Sequence, residues 1–408
     1  LALLFLATAA LFLVPLLCPP YTGGAVHSGI KGREEKIFYP AGLAILAFFV
    51  AASLSRHLGI TAILIEGAAI LTVFVIQGER LDSTRAALRF LTLMSLATPF
   101  FLLAAWRIDF YQLGGGTSVA SNLDIFFVGF GFVLWLAIVP FHSWLTTTAA
   151  ESSPATAAFV LIAFPLVAFS TLMHLLADSP WLVDSAQLVR AIIIAGVFTA
   201  LVGGGLASVQ RGFSQLMGYS ALYDLGCALT VLGIGGRAAL ITVLVTLAVR
   251  ALALTLIAIG ISAIRMRVAG DGFAQVRGVA RQIPMAVTGL MIGGLTLAGV
   301  PLLAGFAPRW QLLRSSAQID PVLPVLLALG GLGIAVGYLR GLRATLASDT
   351  TEKNGRPIRT VIRFKEPGLL LVMISLLVVI SILLGLFPSV LIEPLEVLLT
   401  LGASIPNP

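Results

Sequence analysis

The sequence predicts an all-α polytopic membrane protein of about twelve transmembrane helices. Three observations predict it. Of 408 residues, 59% are hydrophobic and 11% charged, a balance that soluble domains of this length do not show. The apolar runs are each roughly 17–25 residues long, the length of a helix crossing hydrocarbon and about twice that of a barrel strand. Lysine and arginine alternate between rich and poor connections, as oriented spanning helices require.

The runs fall at 1–17, 39–55, 60–77, 86–105, 124–140, 154–176, 187–209, 215–234, 238–264, 283–303, 320–340 and 368–390. Run 1–17 has no basic flank before it and no small-residue cleavage site after it, so it reads as a span rather than a signal peptide. Segments 304–319 and 391–408 fit neither a full span nor a plain connection. Connections after odd-numbered runs carry Lys31, Arg33 and Lys36, then Arg80 and Arg85, then Arg211. Arg265, Arg267, Arg277 and Arg281 follow, then Arg343, Lys353, Arg356, Arg359, Arg363 and Lys365. Connections after even-numbered runs carry little, Arg56, Arg107 and Arg237, apart from the unclassed segment 304–319. The reading is a multi-pass protein of a bacterial cytoplasmic membrane with its basic loops in the cytoplasm. The same bias accounts for the net charge of +7, so nucleic acid is not an expected partner.

Several chemistries have no footing in the residues. The two cysteines, Cys18 and Cys227, are far apart, and no Cys/His cluster has metal-ligand spacing. No glycine-rich phosphate loop follows a strand pattern. The largest connection, Arg343 to Glu366, is too short for a catalytic domain. No metal, no cofactor, and no redox or hydrolytic site is expected in this chain. Its chemistry belongs inside the bundle.

Proline marks where to look. The run from Asp124 is interrupted at Pro140, the run from Pro154 at Pro165, and the run from 283 at Pro301. Proline removes a backbone donor and clashes with the preceding turn. Such breaks persist in a membrane only where protein or a wet cavity satisfies the freed carbonyls, and broken spans are where secondary transporters hold ions. Ionisable side chains at mid-span cost roughly 2.5–3.5 kcal/mol on the insertion scale, so each requires a reason. Glu66, in ITAILIEGAAILTVFVIQ, reads as a proton-relay acid in preference to a structural glutamate. Asp224 and Arg250 lie deep in consecutive runs and read equally as a structural ion pair or a functional one. Arg309, after the break at Pro301, is either a buried cation or an arginine reaching back to the interface. His142 follows Pro140 and is either a titrating group or a cap on the broken helix. Arg89 reads as an interface anchor, Glu151 as part of a helix cap with Ser152, Ser153 and Pro154, and His174 as structural. His27 and His57 fall in connections, with no role expected. Gly203, Gly204 and Gly205 read as packing residues. Every lysine lies in a connection and none in an apolar run.

Taken in order, the motifs resemble one family. VPFHSWL followed by ESSPATAAF, QRGFSQLMGYSALYDLG, LVTLAVRALALTLIAIG and GVARQIPMAVTGLMIGGLTLAGVPLLAGFAPRWQLL are similar to segments of the antiporter-like subunits. These are the proton-translocating membrane subunits of respiratory complex I, membrane-bound hydrogenases and Mrp-type antiporters. ILIEGAAILTVFVI with RLDSTRAALRFL is similar to their glutamate helix and the segment after it. The resemblance implies a helical bundle of two inverted repeats, each with one broken helix, at 39–176 and 187–346. An N-terminal span and basic connection, 1–38, would precede them. A further connection and C-terminal span or spans, 347–408, would follow. It implies partners as well: other membrane subunits, redox subunits elsewhere in the assembly, the lipid bilayer, and protons or sodium ions.

The family relay runs from a glutamate through lysines and histidines along the midplane. Carried over by position, Glu66 is the glutamate, but the lysine positions read Arg89, Trp135, Phe164 or Pro165, Arg250 and Arg309, and a histidine position reads Thr246. Arginine stays protonated where a buried lysine can give its proton up. The expectation is a membrane subunit of a redox-driven, proton-translocating complex with impaired conduction of its own. Its rivals are a non-pumping scaffold subunit, or a subunit of a Mrp-type cation/proton antiporter or an inorganic-carbon-uptake assembly.

Overall fold

The computed structural model describes residues 33–77, 83–112, 122–179, 182, 185–268, 270–347 and 368–404. The run expected at 1–17, His27, and most of the long basic connection between 347 and 368 lie outside the described residues. Fourteen α-helices are described: α1 (Arg33–Leu54), α2 (Leu58–Gln77), α3 (Thr84–Gln112), α4 (Asn122–Trp135), α5 (Ser143–Glu151), α6 (Pro154–Asp178) and α7 (Ala186–Val209). They continue with α8 (Phe213–Ile234), α9 (Arg237–Arg267), α10 (Pro284–Ala298), α11 (Phe306–Ala317), α12 (Val322–Leu346), α13 (Gly368–Leu386) and α14 (Ser389–Ser404). Eight of them, α2, α3, α6, α7, α8, α9, α12 and α13, are long and apolar enough to cross a membrane.

Of the six other described helices, four come as pairs of halves. α4 and α5 are the two parts of one interrupted span, and α10 and α11 are the two parts of another. Segment 304–319, which fitted no class by length, is therefore the second half of a broken helix. Twelve residues of α11 are too short to cross alone. The order of elements is the same on both sides of α6: three helices, a broken helix and a closing helix, as α1–α6 and again as α7–α12.

The apolar surface is divided as a membrane requires. α8 is buried almost all round, while α7, α12 and α13 turn Ile194, Phe198, Leu332 and Val372 outward. With hydrocarbon outside, hydrophobicity gives no inward drive, so helices associate through close packing and polar contacts. Glycine allows that approach where α7 meets α12. A Cβ on Gly204 would fall on the backbone of Gly330, whereas Gly205 faces open space. A Cβ on Gly203 would likewise meet the backbone of Tyr223, so the packing role expected of the glycine run holds for Gly203 and Gly204 and not for Gly205. At the end of the bundle that carries Arg211, Arg267, Arg277 and Arg281, the connections before α8 and after α9 meet in a short antiparallel bridge, Gly212 to Gly272.

Candidate functional site: a buried aspartate between two arginines

The first break runs from Leu136 to His142. Ala137 takes a left-handed backbone (φ 53°), which an L-residue holds only where its surroundings dictate it. The freed polar groups find partners in neighbouring segments. Trp144 Nε1 donates to the carbonyl of Leu134 at 3.1 Å, and the Val139 amide donates to Thr199 Oγ1 of α7 at 3.3 Å. The second break, between α10 and α11, repeats the device with Gly299 (φ 81°) and Leu302 (φ 72°) left-handed. Only glycine suits position 299. A Cβ there would lie 2.6 Å from Cγ of Arg309, besides the backbone cost.

That packing aims Arg309 inward. It is 6% exposed and its guanidinium donates to Asp224 Oδ1 of α8. The cation also lies 5.2 Å from the centroid of the Tyr223 ring. Of the two readings that the sequence left open for Arg309, the structure shows the buried one. Asp224 Oδ2 accepts from Arg250 Nη1 of α9 at 2.9 Å, so one carboxylate joins three helices of the second half.

Arg250 is fully buried and makes four hydrogen bonds. Besides Asp224, its Nη1 donates to the Ala221 carbonyl at 2.7 Å. Its Nε and Nη2 donate to the carbonyl of Leu161, at 3.1 and 2.9 Å. Leu161 lies four residues before Pro165 on α6, and a proline nitrogen carries no hydrogen. The proline thus frees a carbonyl in the bundle interior, and the guanidinium fork of Arg250 takes it. Pro165, one of the two candidate lysine positions of that span, supplies an acceptor where the family pattern would place a donor. Phe164, the other candidate, is clasped between Phe49 and Phe90, each with ring centroids 4.9 Å away.

The remaining expected site residues stand apart from this triad. Glu66, half-buried on α2, accepts from two hydroxyls of α3, Ser95 Oγ and Thr98 Oγ1, the latter at 3.0 Å. No ion pair reaches it among the described residues. Trp135 fills the position facing it in the family pattern. It is 2% exposed, tilted against Phe101 at 4.0 Å and edge-on to Phe132 at 6.0 Å. His142 occupies the N-cap position of α5 but makes no cap bond, and its ring lies 6.4 Å from Tyr219. Arg89 is half-buried on α3 and joins no ion pair among the described residues. Thr246 bonds back to Thr242 within α9 at 2.7 Å. Glu151 closes α5 and is not a cap: Ser153 caps α6, accepting from the Thr156 amide at 3.2 Å.

Sequence reasoning missed three groups. Arg107 and Asp124 form an ion pair between α3 and α4, with Asp124 buried. Arg265 lies 3.6 Å from Asp271 and donates to Ser214 Oγ at 2.8 Å. His57, which was given no role, pairs with Asp109 at 2.8 Å. Each partner pair spans a connection, so helical spacing carried no signal of it.

Comparison with known proteins places this geometry. Residues 55–335 match the family described as NADH:quinone oxidoreductase/Mrp antiporter, TM. NADH-quinone oxidoreductase subunit N of Ectopseudomonas mendocina is 28% identical over 95% of this chain and 81% of that protein. Its counterpart in Rhodospirillum rubrum is 27% identical, over 71% of this chain, which spans 62% of that relative's length. Formate hydrogenlyase subunit 3 of Escherichia coli is 27% identical, over 70% of this chain and 50% of that one. Among solved structures, a chain of respiratory complex I from Thermus thermophilus superposes with a TM-score of 0.72 at 22% identity, covering 95% of this chain and 85% of that one. A chain of the Mrp complex from Dietzia superposes at 0.76 with 16% identity, covering 96% and 81%. With the family match covering both broken helices and the aspartate–arginine centre between them, the chain belongs to the NADH:quinone oxidoreductase/Mrp antiporter transmembrane family.

Proposed function

We propose that this chain is an antiporter-like membrane subunit of a multisubunit, redox-driven, proton-translocating assembly of the complex I kind, and that its own midplane holds fixed charge instead of passing protons end to end. The similarity to the subunit N proteins supports the first part. Electron transfer then belongs to partner subunits, and the basic connections face the cytoplasm of a bacterial inner membrane.

One observation carries the second part: Arg250 is buried with all of its described bonds directed at permanent acceptors, two carbonyls and a carboxylate. A relay needs a group that alternates between protonation states. A guanidinium does not, and the carboxyl of Asp224 is engaged by two of them. Trp135 neither accepts nor donates a relay proton on the path from Glu66 toward the centre. The triad braces three helices and the proline-freed carbonyl of a fourth.

A second reading has its own observation. The buried Nδ1 of His142 and Oγ1 of Thr148 have no hydrogen-bond partner among the described residues, as a wet path along α5 would leave them. On that reading protons pass through Glu66, His142 and water, with the arginines tuning the field. The test is Glu66→Gln in the intact assembly, purified with its companions. An unchanged proton-to-electron ratio at unchanged assembly is the expected result. A lowered ratio would overturn the fixed-midplane reading in favour of conduction. Co-purification of hydrogenase, cation-antiporter or carbon-uptake subunits in place of a quinone reductase would overturn the choice of parent assembly.

A further inference from the structure

A cavity of about 290 Å³ opens at the end of the bundle opposite the Gly212–Gly272 bridge, where α1 ends, α2 begins, and α3 and α6 end. Ligand pockets start at about 300 Å³, and a water molecule's share of liquid is roughly a tenth of that. The lining carries charges of both signs. Arg56 and Asp178 are exposed, and neither joins an ion pair among the described residues. His174 lies within electrostatic reach of both. On α3, Asp109 binds His57 at 2.8 Å. With the histidines neutral, the lining holds one guanidinium against two carboxylates, a net charge of −1.

The cavity also contains hydroxyls without partners. Ser53 and Thr171 bond back to carbonyls of their own helices, Phe49 and Val167, as such side chains in helices commonly do. Ser170 does not. It is 9% exposed, and its hydroxyl has no hydrogen-bond partner among the described residues. Ser179, at the end of α6, is the same at 6% exposure. A buried hydroxyl without a partner is costly, so each calls for a polar group inside the cavity. The surroundings are those of a membrane–water interface. Trp106 and Phe110, next to the lining residues Ala105 and Asp109, are exposed, with ring centroids 6.1 Å apart. Exposed aromatic rings of this kind sit at headgroup level. Leu54 and Ile60, next to the lining residues Ser53 and Thr61, are 62% and 52% exposed. A molecule seated in the cavity thus has apolar surface beside it for hydrocarbon chains.

We infer that this cavity binds the headgroup of a phospholipid with a primary ammonium, of the phosphatidylethanolamine type. The phosphate pairs with Arg56, the ammonium with Asp178 and the serine hydroxyls, and the acyl chains lie along Trp106, Phe110, Leu54 and Ile60. The lining selects this class over its rivals. A primary ammonium donates three hydrogen bonds, which carboxylates and hydroxyls accept. A quaternary ammonium donates none and is held by aromatic faces, and the lining has no Phe, Tyr or Trp. An anionic headgroup would meet a lining that is itself net negative. A soluble zwitterion would leave the flanking apolar surface unused. Such a site requires only that the bundle lies in a membrane, whatever its midplane does.

The full chain in its native assembly, purified in detergent and supplemented with phosphatidylethanolamine bearing a diazirine on one acyl chain, tests it. Irradiation releases dinitrogen and leaves a carbene that inserts into a neighbouring bond, and mass spectrometry of the peptides locates the label. Label is expected on segments 54–60 and 106–110. An excess of unlabelled phosphatidylethanolamine should lower it several-fold, whereas phosphatidylcholine or phosphatidylglycerol should leave it unchanged. Arg56→Gln and Asp178→Asn, both at exposed positions, should each lower it several-fold, and Ser170→Leu should fill the cavity and abolish it. Size-exclusion chromatography checks assembly, and label on the lipid-facing side of α13 serves as the reference that should not move. Equal competition by phosphatidylcholine would mean bulk lipid only, and stronger competition by phosphatidylglycerol an anionic-lipid site. Competition by free phosphoethanolamine as strong as by the lipid would mean a soluble zwitterion. Each of these overturns the proposal, as does absence of label from both segments or unchanged label in the assembled variants. None of them bears on the reading of Arg250, which the proton-to-electron ratio tests.

Discussion

Replacing Asp224 by Asn keeps its shape and removes its charge. Asp224 is 2% exposed and meets two guanidiniums, Arg250 at 0% and Arg309 at 6% exposure. In the native chain the three side chains sum to one positive charge. In Asp224→Asn they sum to two, buried on neighbouring helices. Removing one partner of a buried ion pair costs about 3–5 kcal/mol, because the partner stays behind uncompensated. Here two partners stay behind, so the expected loss lies at or above the upper end of that range. Arg250 keeps its bonds to Leu161 and Ala221, while Arg309 keeps only its Tyr223 face among the described contacts. The strain should therefore concentrate on α11, and adding Arg309→Met should recover about 1–3 kcal/mol by removing the second unpaired charge. Reversible denaturant titration of the full chain in detergent, followed by far-UV circular dichroism, measures both quantities. A single variant within about 1 kcal/mol of the parent would refute the view that this carboxylate balances the core. A double variant less stable than Asp224→Asn would refute the assignment of the strain to Arg309.

Three further outcomes follow from the same packing. Arg250→Lys should cost about 1.5–3 kcal/mol in that titration, because one ammonium cannot replace both bonds to Leu161 while keeping Asp224 and Ala221. Trp135→Ala should cost about 3–5 kcal/mol by leaving a cavity against Phe101 and Phe132, measured in the same way. Gly204→Val should prevent α7 from seating on Gly330 and abolish a monodisperse chromatographic peak, whereas Gly205→Ala, with open space before it, should leave the profile unchanged.

How much of this was legible depended on the range of each interaction. Two of the three expected breaks hold, because Pro140 and Pro301 fall in the interruptions of α4/α5 and α10/α11, whereas α6 runs unbroken through Pro165, whose freed carbonyl at Leu161 is taken by Arg250. Asp224 and Arg250 were visible as a pair because consecutive antiparallel helices bring their mid-depth residues together. Arg309 was harder. Its half-helix is shorter than any spanning window, so its depth could not be read from length. The cradle of Glu66 was not legible, since a serine and a threonine in an apolar helix read as bonded to their own preceding turn. Thr92 on the same helix does just that, donating to Leu88 at 2.8 Å. The cavity was least legible of all. His57 and His174 come together only because α2 and α6 are neighbours, 117 positions apart in the chain.

Pro165 shows why residue types cannot be exchanged singly in such a core. A buried lysine can lose its proton and its need for partners together, but an arginine keeps five donors and needs standing acceptors. A helix interior has few to offer, because its carbonyls are already engaged. Pro165 creates one by withholding the amide that would bond Leu161, and Arg250 spends two donors on it. The two residues should therefore be energetically coupled across helices α6 and α9. In the native chain, Pro165→Ala relieves the helix but sets a new amide in competition with the guanidinium for one carbonyl. In an Arg250→Met background the same change satisfies a carbonyl that would otherwise be orphaned. The substitution should thus be more favourable in the second background by about 1–2 kcal/mol, the scale of one charge-assisted hydrogen bond. A double-mutant cycle read by denaturant titration measures this. A coupling energy indistinguishable from zero would mean that the proline does not provide the arginine's seat.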